Sequence, residues 1–491
     1  MLLTKKQVII VATISIFIFF IVYTPHLSNP YPIHIDEWRH ITEAIKLKQD
    51  FNKSGWEGIE IGFQIFLAFL SFFINLVLFY KFLPALWALV CAITLFFIAK
   101  KITSDNEQSF FISLFAMIFF ASIKSNVNVT GLWFFTPLTF SIPFIFLYIY
   151  FFSQGIQEQN KKYILTSLVI MLILIPVHSI SVLFAIPFLA IYLLINCKYL
   201  IKEYKFFLLF LLIPAFGLFF YSLIFKISLM SSFYSVISQL QFKKGWGVLE
   251  FNNSFLEMYS LVGYLLAIIG IVYIVSSKYN FKKYLIYIIW PLAVLFSIII
   301  FKLIETSYLS PFQRNLYYFA ISLPLLSSIG FCQIIKIIKV QINKTNLIKK
   351  EKIFFIIKVL AIILVLILTF KSYYTIPKEI KLYKIIDKEN YNALIFLSAQ
   401  QNSEESKVMA PLFISTAMYP VSYHEPVATI YFYGNSEDVD KFFEPNPEDN
   451  NCKTKNNLLE KYGVSYIFSD KPIKCGWEII YNKTENIIYK R

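Results

Sequence analysis

Charged residues are scarce in this chain: Lys, Arg, Asp and Glu supply 15% of its 491 residues, where an average soluble protein carries about 25%. Together with 57% hydrophobic residues and a mean hydropathy of +0.63, that shortage excludes an ordinary water-soluble fold. Glycine is also sparse, at 14 residues. No Gly-rich loop of the kind that cradles nucleotide phosphates is present, which argues against P-loop and dinucleotide chemistry. There is no low-complexity tract and no internal repeat, so the repeat signature of many secondary transporters is missing. Cysteine numbers only five. Cys91, Cys197 and Cys332 fall in or beside apolar runs and read as packing residues. Cys452 and Cys475 fall in a polar C-terminal tail and pair as a disulfide if that tail lies outside the cell, where thiols meet an oxidising environment.

What the chain has in abundance is long apolar runs. Lys5 and Lys6 precede the first, at about 8–23, which is long enough to span and has no small-x-small cleavage site after it. It reads as a retained anchor with its N-terminus inside. Further runs follow at about 61–79, 83–99, 110–123, 132–152, 163–177, 180–195, 206–224, 255–275, 284–302, 316–335 and 353–370. The formal charge of +15 does not point to nucleic acid, because the lysines cluster between these runs. They mark cytoplasmic loops and contact with anionic lipid headgroups. Lys161-Lys162 and the basic stretches 198–205, 278–283 and 336–352 all belong inside, which puts the tail and the loops near His178, Gln241 and Arg314 outside. Counting forward from an inside N-terminus gives the opposite side for the tail. The parity error therefore sits between 61 and 152, and one further span or a re-entrant pair within 110–152 is the expected cure.

The sequence thus predicts an all-α polytopic membrane domain of about 11–13 transmembrane helices, residues 1–370, with a first extracytoplasmic loop at 24–60. A small extracytoplasmic α/β domain follows at 371–491. Strands are expected there at 407–412, 427–433 and 464–469, with a helix at 457–462 ending on Gly463 and a closing hairpin of 477–481 with 486–489.

One stretch concentrates chemistry. Tyr31 to His40 reads Tyr-Pro-Ile-His-Ile-Asp-Glu-Trp-Arg-His and joins adjacent carboxylates, Asp36 and Glu37, with His34, Arg39 and His40. Residues 36–51 have an amphipathic helical pattern, with Ile41, Ile45 and Leu47 placed to lie on the membrane and Glu43, Lys46 and Lys48 to face water. Neighbouring residues on a helix point about 100° apart, so Asp36 and Glu37 cannot act as one bidentate clamp. One can face a site while the other caps the helix; the plain alternative is a solvated, charged first turn. Asp36 and His40 share a face at i, i+4, a spacing open to a divalent metal, but no further ligand is in view.

This arrangement, a short acidic motif after the first span with many spans and a soluble tail behind it, resembles the GT-C superfamily of integral membrane glycosyltransferases. Pro176-Val177-His178-Ser179-Ile180 resembles its His-containing turn, and Arg314-Asn315-Leu316-Tyr317-Tyr318 the Arg-aromatic opening of a late span. Tyr462-Gly463-Val464-Ser465-Tyr466-Ile467 with Trp477-Glu478-Ile479-Ile480-Tyr481 resembles the tail of prokaryotic members. The resemblance implies inverting transfer of a sugar from a polyprenyl-phosphate or -diphosphate carrier to a lipid, glycan or protein hydroxyl on the outer face of the cell membrane. The acidic motif would act as base or acceptor-binding group, and Arg314, assisted by His178 or Lys302, would steady the leaving phosphate. The tail has no Trp-Trp-Asp-Tyr-Gly segment, so transfer of a single sugar is expected rather than of an oligosaccharide to asparagine. The plain alternatives are a snorkelling Arg314 and a helix-end His178. At the level of the whole chain they are a flippase of lipid-linked sugars or a non-enzymatic envelope-assembly subunit.

Overall fold

The computed structural model describes residues 3–49, 60–103, 106–125, 131–244, 258–344, 350–374, 384–400, 406–430, 433–443 and 452–491. The chain divides into two compact units. One comprises Met1–Pro25, Gly55–Phe63 and Phe82–Glu379, the other His26–Ser54, Gln64–Lys81 and Ile380–Arg491.

The chain is a multi-pass membrane protein. Among the described residues, seven helices are long and apolar enough to cross a bilayer: Lys5–His26, Leu76–Thr103, Pro137–Gln157, Lys161–His178, Tyr204–Phe225, Phe281–Ile304 and Phe312–Lys344. Shorter apolar helices accompany them at Gln108–Ala121, Ile180–Ile195 and Leu261–Ser276. Lipid tails are as apolar as Leu, so such helices associate through close packing and interhelical hydrogen bonds rather than by leaving water. Leu261–Ser276 shows both against Pro324–Lys344. A Cβ on Gly330 would come within 1.9 Å of the Leu266 carbonyl oxygen and one on Gly270 within 2.1 Å of that of Leu326, so only glycine admits this approach. Ser327 Oγ donates across the same seam to the Gly263 carbonyl at 2.9 Å.

Two expectations for this region are corrected. The run 61–79 is not one span: a helix of 10 residues, Ile61–Leu70, is followed by a turn, and Asn75 then caps Leu76–Phe79 by accepting from Leu78 N–H at 3.2 Å. Ten residues rise about 15 Å, half of a hydrocarbon core of about 30 Å. Nor does 110–152 hide a further span. Its helices are Asn106–Ala121 and Pro137–Gln157, and the described residues between them include no helix. They are buried and pinned by side chains, with Ser125 Oγ accepting from Trp133 N–H at 3.1 Å.

The second unit contains a five-stranded mixed sheet in the order Glu425–Pro426, Lys407–Met409, Val464–Ser469, Asn486–Lys490, Glu478–Lys483. The first three strands run parallel and the last two pair antiparallel. The helix Cys452–Tyr462 ends at Gly463, whose φ of +63° is the left-handed conformation that glycine adopts without strain. Met409, Val439, Phe442, Leu459, Ile467 and Tyr489 form the core beside it. The expected strand 407–412 stops at Met409, because Pro411 opens a helix, Leu412–Ser422, that the sequence did not announce. The expected strand 427–433 is broken into two short strands, Ala428–Thr429 and Tyr433–Gly434, which pair antiparallel, its residues 431–432 lying outside the described set.

Cys452 and Cys475 are joined, their Cα atoms 5.4 Å apart. Replacing either with Ser is expected to destabilise this unit by roughly 2–5 kcal/mol, the usual cost of losing a native disulfide in a small domain. Thermal unfolding of full-length protein in detergent measures the loss. In the wild type neither thiol should react with an alkylating agent until a reductant is added.

Candidate active site

The conformation of the acidic stretch follows from the unmet donors of a helix N-terminus. The helix Ile35–Gln49 begins one residue after His34. Glu37, its third residue and fully buried, reaches back so that Oε2 accepts from the backbone N–H of His34 at 3.0 Å and of Ile33 at 2.9 Å. His34 answers from the cap position: its Nδ1 accepts from Asp36 N–H at 3.1 Å. This is a variant of the capping box, with an imidazole where Ser or Thr usually stands and the second helical N–H, rather than the third, as its donor. Trp38 Nε1 donates to the Pro32 carbonyl at 3.1 Å and pins the approaching chain.

These bonds separate the two carboxylates by task. Glu37 is engaged by the backbone in the interior, while the Asp36 side chain is 28% exposed in the first turn, where the helix dipole favours negative charge. Asp36 Oδ2 stands 3.6 Å from the same ring nitrogen of His34.

His40 is buried, and burial first, with the adjacent Arg39 second and Asp36 opposing, pushes its imidazole down to about 3. It is neutral near pH 7 and cannot serve there as a cationic phosphate ligand. A depressed histidine stabilises the fold fully above its unfolded value of 6.5 and progressively less as pH falls towards 3, since the unfolded chain takes up a proton that the folded chain refuses. The slope is at most about 1.4 kcal/mol per pH unit. Melting temperatures from pH 7 to 4 should therefore fall more steeply in wild type than in His40→Gln.

Glu37 and His34 Nδ1 are engaged in the capping box, and among the described residues no group of three or more His, Cys, Asp or Glu is placed to hold an ion. The expectation that the helix lies on lipid is also corrected. Trp38, Ile41, Ala44 and Leu47 are buried, and the helix packs on Leu412–Ser422. The stripe that would meet a membrane has a protein partner.

The remaining candidates lie in the other unit. His178 Nδ1 is 2.7 Å from Ser181 Oγ, which is itself 3.1 Å from the Tyr318 hydroxyl and 2.6 Å from Ser141 Oγ. Tyr318 stacks on Phe184 with ring centroids 3.7 Å apart. Arg314 precedes Tyr318 by four residues on the helix Phe312–Ser322 and so shares its face. Both Arg314 and Glu60 are within electrostatic reach of the Tyr318 hydroxyl. Lys302 Nζ sits 4.9 Å over the ring of Phe312, at the start of that helix. The structure thus gathers His34, Asp36, Glu37, Arg39 and His40 on one cap, and links His178 to the face that bears Arg314. Sequence reasoning missed Ser181, Ser141 and Glu60. Only Ser181, one turn after His178, had a signal in its spacing.

No family model and no curated protein matches the chain. Solved structures do. The Archaeoglobus fulgidus oligosaccharyltransferase AglB, in complex with an inhibitory peptide and a dolichol-phosphate, superposes with a TM-score of 0.56 at 12% identity, over 95% of this chain and 69% of its own. The same enzyme tethered to an acceptor peptide gives 0.56 at 10%. ArnT from Cupriavidus metallidurans bound to undecaprenyl phosphate gives 0.55 at 11%, over 99% of this chain and 98% of its own. Both neighbours are GT-C glycosyltransferases, and the chain has the GT-C fold.

Proposed function

We propose that this GT-C chain is an inverting glycosyltransferase that moves a sugar from a polyprenyl-phosphate or -diphosphate carrier to a hydroxyl of a lipid, glycan or protein on the outer face of the cell membrane. The observation that carries it is the partly exposed Asp36 carboxylate, set in the first turn of a capped helix while its neighbour Glu37 holds the cap. In this reaction Asp36 takes the acceptor hydroxyl proton as the oxygen attacks the anomeric carbon. The bond from that carbon to the phosphate oxygen breaks, and its electron pair leaves with the lipid phosphate. Arg314 offers two parallel N–H donors to the departing phosphate. Solved neighbours hold dolichol-phosphate and undecaprenyl phosphate, which supports a lipid-linked donor.

The basic loops and the parity of the crossings support this sidedness. With Ile61–Leu70 too short to cross, the seven long apolar helices reach an odd total of eleven when Gln108–Ala121, Ile180–Ile195, Leu261–Ser276 and Lys350–Tyr374 are counted as crossings with them. An odd number reconciles Lys5 and Lys6 inside with every later basic loop inside, and leaves the acidic loop and the tail together outside. A tag after Arg491 should then be reached by a membrane-impermeant reagent on intact cells, and one beside Lys350 should not. Labelling of the second but not the first would overturn the reading.

A further inference from the structure

We propose that Lys46, Tyr419 and Glu425 are positioning residues for Asp36, and that the C-terminal α/β elements act as a brace that sets where the first turn of the acidic helix points. This rests on the reading of Asp36 as the base. The helix Ile35–Gln49 has 15 residues and rises about 22 Å, so a small shift at its far end is carried to its first turn. One face, Trp38, Ile41, Ala44 and Leu47, is buried, and the helix packs on Leu412–Ser422. Apolar burial is non-directional, and by itself it tolerates sliding along the groove.

Polar contacts at both ends remove that freedom. Just before the helix, the Tyr31 ring stacks on Tyr391 with centroids 4.7 Å apart. At the other end Lys46 Nζ is 2.9 Å from Glu425 Oε1 and 4.8 Å over the Tyr419 ring, whose hydroxyl donates to Gln49 Oε1. Glu425 stands on the edge strand of the sheet and Tyr419 on the helix just before it, so the acidic helix is referred to the sheet through two neighbouring elements. The Lys46 and Glu425 side chains are 24% and 34% exposed. A pair this open adds little to stability, so its consequence is orientation. Turnover responds strongly to orientation, because a misplacement of about 1 Å can cost 10²-fold.

The test uses the full-length protein in membranes, with Lys46→Glu, Glu425→Lys and the double exchange. Each single change sets like charges against each other at the far end of the helix. It should lower kcat by about tenfold or more, leave donor KM within about twofold, and speed amide exchange across Ile35–Gln49. The double exchange should restore most of the kcat and the slow exchange, while Tyr419→Phe should give a smaller loss of kcat alone. Wild-type kcat in the single variants, a rise in KM without loss of kcat, or no rescue by the double exchange would overturn the proposal. The exchange readout does not depend on activity. A wild type without donor turnover would overturn the role of Asp36, whereas unaltered exchange across Ile35–Gln49 in the single variants would overturn the brace.

Discussion

Asp36→Asn is expected to lower turnover by at least about 10²-fold, the low end for loss of a general base, with the fold intact. The amide is isosteric and keeps the first turn, and the capping contacts use the Asp36 backbone N–H rather than its side chain. Expression, topology and melting temperature should therefore stay at wild-type values while the proton acceptor is lost. Glu37→Gln should behave differently. Its side chain closes the cap through two backbone donors, and a neutral amide oxygen accepts such bonds less strongly than a carboxylate. The expected result is a lowered melting temperature and a modest loss of turnover that follows it. Turnover lost in Glu37→Gln at unchanged stability, with Asp36→Asn active, would move the base to Glu37.

Arg314→Ala is expected to raise donor KM and lower kcat/KM by about 10- to 10²-fold, since a charge-assisted hydrogen bond to phosphate contributes some 1.5–3 kcal/mol. Arg314→Lys should recover only part of this, because an ammonium keeps the charge but loses the planar fork. The structure makes the lysine variant informative. Arg314 shares a helix face with Tyr318, whose hydroxyl is tied to Ser181 and through it to His178. Wild-type donor kinetics in Arg314→Lys would mean that a long cationic stem suffices. The search for the phosphate ligand would then turn to Lys302 and to Lys243 and Lys244.

The membrane architecture was legible in the sequence because a bilayer imposes one requirement, about twenty apolar residues, that any run either meets or fails. Where reading failed, local polar chemistry had divided an apolar run. At 61–79 Asn75 starts a new helix inside a segment whose hydropathy alone reads as continuous. In the tail, Gly463 and the 478–490 hairpin were legible because turn chemistry is local. The helix Leu412–Ser422 was not: its aromatic and β-branched residues suit a strand by propensity and its internal Pro420 is disfavoured in a helix, and packing overrides both preferences.

The acidic motif could likewise be found but not apportioned. Adjacent carboxylates on a helix allow one to face a site while the other caps. Which does which depends on His34 occupying the cap and Glu37 reaching back, and no spacing rule contains a histidine in that place. The loss of the expected membrane contact has the same origin. An amphipathic stripe states that a helix has an apolar partner, and only the three-dimensional structure shows that the partner is Leu412–Ser422.

The measurement that bears most directly on the whole account is the fate of a doubly labelled polyprenyl-phosphate sugar incubated with purified protein and a mixed hydroxyl acceptor fraction. The account predicts free polyprenyl phosphate and an equal amount of sugar joined to acceptor, with the anomeric configuration inverted, and neither product above background with Asp36→Asn. Intact donor recovered in full from wild type, or moved across a vesicle bilayer without cleavage, would contradict it.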